Sequence, residues 1–374
     1  MISRLAGDST WSRYSLAWSG IQAVVMMALE SVILYIHILE SNSIDDVIPS
    51  AKYLLSQRTT NITSTEVDAE ATTLLQSTRV LSVYHVLFIV AQLFQLILLC
   101  DAMLNKNTIQ IIAIVIFNCS MVAYTGVQVK QASDILAKTP TDSLVNMILI
   151  RFENAAAPTP VHASLPYEIA VVCLMVIFAS GFAYIAYKLY KEFGWSIYKK
   201  IGADLSMRDM YKVYQIFIMI LKFDVFFQLG FSAQFLSVVV LEASPDMWSV
   251  LTIHLILSTG ASIILPLIAW WGLKRESKIS MWCFIVCALG TLIYNIYKLC
   301  QVSFLESDRF AGAQKFLKLF LVVDLILGIL TIYLAWTCMR NFNNGLNAHI
   351  GKVSGSNIYP MESVGGSSKR WSIE

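Results

Sequence analysis

Long apolar runs, each about the length of a bilayer crossing, recur along the chain between shorter polar stretches. A helix needs about 20 apolar residues to span the hydrocarbon core. Windows of that size predict eight helices, near 17–39, 80–103, 109–130, 167–188, 213–240, 248–271, 279–300 and 316–339. The runs are apolar on all faces and lack period-two alternation, which predicts helices and not barrel strands. About five residues, Asn105 and Asn107 among them, separate the second and third runs, and so short a link forces an antiparallel hairpin. Asn118, Thr125 and Gln128 interrupt the third run; without it the chain would have seven spans and ends on opposite sides.

Composition moves the expected solvent from water to lipid. Of the 374 residues, 57% are hydrophobic and 14% charged, against about 45–50% and about 25% in soluble domains. The mean hydropathy is +0.64, a surplus that no single globular core can hide. The expected fold is an all-α polytopic membrane helix bundle over 17–339, with the lipid bilayer as its main partner. An N-terminal tail (1–16) precedes the bundle, and a polar tail rich in Asn, Gly and Ser (340–374), expected to be disordered, follows it. A cytosolic enzyme, a secreted disulfide scaffold and a disordered protein are excluded. A net charge of +2 with dispersed basic residues argues against a nucleic-acid partner.

Lys and Arg accumulate on cytosolic flanks. With eight spans, the side holding the N-terminus carries sixteen Lys and Arg and the opposite side eight. Both termini are therefore expected in the cytosol, with lumenal loops at 40–79 and 131–166 and a cytosolic loop at 189–212. Asn61-Ile62-Thr63 in the first lumenal loop is a glycosylation acceptor, and its placement agrees with that orientation. The sequon at Asn118 lies inside a span. Arg4 and Arg13 precede a run of full spanning length, so the first span reads as a permanent signal-anchor. The seven cysteines lie within or at the ends of spans, which implies packing and no disulfide framework.

The second lumenal loop carries a short apolar stretch (144–152), too short to span, followed by Pro158, Pro160 and Pro166. In the cytosolic loop, aromatics alternate with lysines from Tyr187 to Asp204, a pattern that suits a helix at headgroup level. Within it, Tyr198, Lys199, Lys200 and Ile201 form a candidate sorting or docking signal for trafficking proteins. The stretch runs on through Met210-Tyr211, Tyr214-Gln215, Leu221-Lys222-Phe223-Asp224, Phe226-Phe227, Gly230-Phe231 and Gln234-Phe235. Over about 187–240 this resembles the fungal family of uncharacterised multi-pass Golgi apparatus membrane proteins. The resemblance implies a multi-pass fold and a Golgi address. It implies no catalytic residues, since the family has no assigned reaction. Where the family carries four aromatics after the Asp, this chain has Val225-Phe226-Phe227-Gln228.

Ionisable residues far from the span ends are the sharpest chemical signal. Glu30 is expected near the middle of span one, Lys222 and Asp224 near the middle of span five, and Asp324 near the middle of span eight. A charge at that depth costs about 2.5–3.5 kcal/mol on insertion scales. Such groups must pair, face a wet cavity or change protonation state. Lys222 and Asp224 are two apart and cannot simply face each other, so at least one must look to a different helix. Two readings compete: a structural one in which Lys222 bonds Glu30 or Asp324, and one in which these groups form a relay or binding site for a proton or cation. Asp224, Gln228 and Ser232, at i, i+4 and i+8, predict one polar face turned inward. His85 and His254 are candidates for a pH-sensitive partner. Small residues at Ala179-Ser180-Gly181 predict close helix contact. Pro266 predicts a kink whose freed carbonyl lines a cavity.

No nucleotide-binding loop, dinucleotide-binding glycine pattern, zinc-binding His-Glu-x-x-His or nucleophile elbow is present, and no His/Asp cluster offers a lipid-processing centre. No catalytic activity, cofactor or metal is therefore expected. Two functions fit: an integral Golgi protein with a structural, trafficking or adaptor role, or a proton- or cation-coupled transporter of a small solute or ion that uses the buried acids.

Overall fold

The computed structural model describes residues 9–57, 64–137, 164–201, 205–242, 247–305 and 313–343. All regular structure among them is helical: α1 (Thr10–Gln57), α2 (Ser64–Asn105), α3 (Thr108–Ala137), α4 (Leu165–Ile201), α5 (Leu205–Glu242), α6 (Met247–Lys274), α7 (Lys278–Leu305) and α8 (Gln314–Arg340). Eight of these helices are long and apolar enough to cross a membrane, the interrupted third run included. Its polar residues do not break α3, because Asn118 and Thr125 turn their side chains onto backbone carbonyls and neighbouring helices. Where a polar connection is expected at 40–79, α1 stays helical to Gln57 and α2 starts at Ser64, since extending an existing helix costs far less than starting one.

The helices form two four-helix bundles. In the first, α1 packs on α2 and α4, and α3 on the same two; in the second, α5 packs on α6 and α8, and α7 on the same two. Neighbours run antiparallel, as Ser12 meeting Met103 at one face of the membrane and Ser41 meeting Arg79 at the other show for α1 and α2. The even helix number brings the start of α1 and the end of α8 to one side, called here the near face; the other is the far face.

The two tight near-face turns are built alike. Lys106 and Glu276 each take a left-handed φ of 50°. One residue on, Asn107 N–H donates to Ala102 O at 3.0 Å and Ser277 N–H to Gly272 O at 2.9 Å, which closes each helix end. The same Asn107 and Ser277 side chains then cap α3 and α7, accepting from Gln110 N–H and Ser280 N–H. The expected α2–α3 hairpin is thus present, and the second bundle repeats it between α6 and α7.

α5 is the wall between the bundles. Its Phe223 and Phe226 pack on Phe94 of α2 and Phe117 of α3, with Phe94 and Phe226 stacked at 4.5 Å. Phe227 packs on Phe320 of α8. Phe223, Phe226 and Phe227 of the family-like segment therefore face helices and not lipid, whereas Tyr187 and Tyr190 are exposed. Lipid contact falls to the outward rows, such as Ile97, Ile116, Val286 and Ile293, which are exposed.

Candidate functional site

The polar side chains that cannot face lipid gather inside each bundle. In the second, Asp224, Gln228 and Ser232 do share the inward face that their spacing predicts. Thr331 of α8 donates to Asp224 Oδ2. Gln228 Nε2 donates to Ser258 Oγ of α6 at 2.8 Å, and Ser232 meets the same hydroxyl at 2.7 Å. Asn295 of α7 joins the group to α8, donating to Gln228 Oε1 at 2.9 Å and to Asp324 Oδ2 at 3.1 Å. Asp224, Asp324, Asn295, Thr331, Ser262 and Pro266 line one cavity of about 70 Å³. That is room for a few waters and well below the roughly 300–1,000 Å³ of pockets for organic ligands.

α6 bends its register to reach this cavity. A π-helical turn, Leu255–Gly260, lies just before Pro266 and turns Ser258 fully inward. π turns arise where the regular ladder is disturbed and recur at functional sites. Asp224 Oδ1 is buried and has no hydrogen-bond partner. Among the described residues, no Lys, Arg or His pairs with Asp224 or Asp324.

Lys222 corrects the sequence-based expectation twice. It pairs with neither Glu30 nor Asp324; its Nζ lies 2.5 Å from Asp101 Oδ2 of α2 and 3.3 Å from Gln110 Oε1 of α3. Nor is it mid-membrane, because Asp101 and Gln110 sit within the last and first turns of their helices. Asp101 lies four residues before the end of α2, whereas Lys222 lies nine residues into the apolar window of α5, so that window starts beyond the end of α2 and Lys222 falls near the near face. There its side chain stays about a third exposed.

Glu30 finds its partner inside the first bundle. His85 Nδ1 of α2 meets Glu30 Oε2 at 2.6 Å, with both side chains about 1% exposed. His37 of α1 lies beside Glu168 of α4, Nε2 to Oε1 3.3 Å, and the two imidazole rings stack at 5.1 Å. A separate cluster nearer the near face centres on Gln22, whose Nε2 donates to Asn118 Oδ1 at 2.8 Å and to Gln92 Oε1 at 3.2 Å. His254, the other pH-sensitive candidate, is packed against Phe235 and Phe231 and bonded to Tyr294 at 2.7 Å, apart from the acids. Asn61 lies outside the described residues, as do the 144–152 stretch and the tail after 343. Tyr198, Lys199, Lys200 and Ile201 form the end of the α4 backbone. His37, Glu168, Asp101 and Asn295 carry contacts that sequence reading did not single out.

Eight apolar helices around polar interiors define a polytopic α-helical membrane protein. No family model matches the chain, and no solved structure matches it. Among curated proteins it is similar to a fission-yeast (Schizosaccharomyces pombe) UPF0658 Golgi apparatus membrane protein, 28% identical over 277 residues that cover 70% of this chain and 76% of the relative. That relative bears out the family resemblance carried by 187–240. The chain is a multi-pass protein of the Golgi apparatus membrane.

Proposed function

We propose that the protein is a proton- or small-cation carrier of the Golgi membrane, with its ion site in the second bundle. The observation that supports this most is the placement of Asp224 and Asp324 around one cavity without a cationic partner among the described residues. Ionised carboxylates in so dry a setting are costly and repel each other, so a proton or a bound cation supplies the missing positive charge. Each of α5, α6, α7 and α8 contributes a neutral oxygen or amide to the same cavity, as an ion that sheds water requires. The small volume favours an ion over an organic solute in this conformation.

The test is Golgi lumenal pH in cells carrying Asp224→Asn or Asp324→Asn, with variant and wild type matched in amount and location. A shifted lumenal pH is expected for both. Unchanged pH in correctly located variants overturns the carrier, and loss of the protein from the membrane favours a structural or adaptor role.

A further inference from the structure

We propose that His37, His85 and Glu168 form a buried site for one divalent transition-metal ion in the first bundle, with Glu30 orienting His85 from behind. One ligand atom from each of the three residues lies within 4.8 Å of the others, and all three residues are buried. His85 Nδ1 is engaged by Glu30 at 2.6 Å, which leaves Nε2 to ligate. That nitrogen has no partner, and neither does Glu168 Oε2, although both atoms are buried. A carboxylate holding the far nitrogen of a metal-bound imidazole is the usual outer support of such ligands.

Pairing the residues as two His–Glu ion pairs would satisfy charge but leave those two atoms unmatched. A divalent ion satisfies both. Two carboxylates and two neutral imidazoles also sum to the charge that one such ion cancels. Bonds of about 2.0–2.2 Å place ligand atoms roughly 3.4 Å apart in a tetrahedral site. The cluster must therefore tighten slightly, and one of the stacked rings must turn, their planes being 22° apart. Two imidazoles and one carboxylate suit zinc and its neighbours better than calcium or magnesium. Three protein ligands leave a fourth position open. Glu168 lies in the first turn of α4 and His37 two residues before the end of the apolar part of α1, so the site lies toward the far face. This site is independent of the carrier cavity, which lies in the other bundle.

The test uses the full chain in detergent, loaded with zinc, washed, and assayed for metal per chain by mass spectrometry. About one zinc is expected in the wild type and none in His85→Gln or Glu168→Gln, while Glu30→Gln weakens zinc affinity by about 10–100-fold. Cobalt loading of the wild type alone gives a reading that needs no variant. Intense visible bands of a four-coordinate ion support the site. A spectrum like that of the hydrated ion, no stoichiometric zinc in the wild type, or full zinc retention by both ligand variants overturns it.

Discussion

Lys222 of α5 and Asp101 of α2 form an ion pair at 2.5 Å that ties the two bundles together at the near face. Both side chains remain about a third exposed, 31% and 35%, so water and counterions screen the attraction and the pair is worth at most about 1 kcal/mol. Lys222→Met should therefore lower thermal stability only slightly, the apolar stem being kept. In a double-mutant cycle with Asp101→Asn, the coupling energy should be below about 1 kcal/mol, read from melting curves in detergent. A coupling of several kcal/mol would mean that the pair is effectively dry and belongs with the deep acids.

Gly181 and Gly126 should respond in opposite ways to a single methyl group. A Cβ on Gly181 would lie 2.3 Å from Trp18 Cζ2, whereas one on Gly126 would meet nothing within 4 Å. Trp18 cannot easily retreat, because its indole N–H donates to Phe178 O at 3.1 Å. Gly181→Ala should then cost about 1–3 kcal/mol by overpacking. Gly126→Ala should be neutral or gain up to about 1 kcal/mol from helix propensity. Melting temperatures of the two variants, measured side by side, check both signs.

The parts of this fold that follow from one residue type in one window were legible in the sequence. Span number and the α2–α3 hairpin need only apolar length and a short link, and the Asp224, Gln228 and Ser232 face needs only helical spacing. Pairings between distant helices were not legible. Glu30 and His85 are far apart in sequence, and nothing local to either says that α1 and α2 bring them to one level. Lys222 was misplaced for a related reason: an apolar window does not report where the neighbouring helices end, so depth counted from the window is displaced. Glu168 reads as an ordinary flanking acid until α4 is seen to begin beside His37.

Gln22 should behave as the centre of a network and not as an isolated polar residue. Its amide N–H groups serve Asn118 and Gln92 from α1, and all three side chains are buried. Gln22→Leu strands those acceptors in a dry interior, at a cost of about 1–3 kcal/mol. Replacing Asn118 by Leu as well removes one stranded partner. The double variant should therefore be less destabilised than the two single effects sum to, in thermal melts of the detergent-solubilised protein. Strict additivity would show that the two amides contribute separately and that water already reaches them.

Thr331 and Asp224 allow a sharper test of the carrier than either residue alone. The Thr331 hydroxyl bonds Asp224 Oδ2, and Oδ1 has no partner. The hydroxyl thus holds the carboxyl in place from one side and leaves the other oxygen free toward the cavity. Thr331→Val removes that hold at nearly constant volume and should blunt the lumenal pH response partially. Asp224→Asn removes the ionisable group and should abolish the response. If Thr331 acts through Asp224, the double variant will match Asp224→Asn, because residues in direct contact do not contribute additively. A double variant with a larger defect than Asp224→Asn would give Thr331 a role of its own on the ion path. A Thr331→Val protein with a wild-type response would show that the free Oδ1, and not the held Oδ2, sets how the site binds.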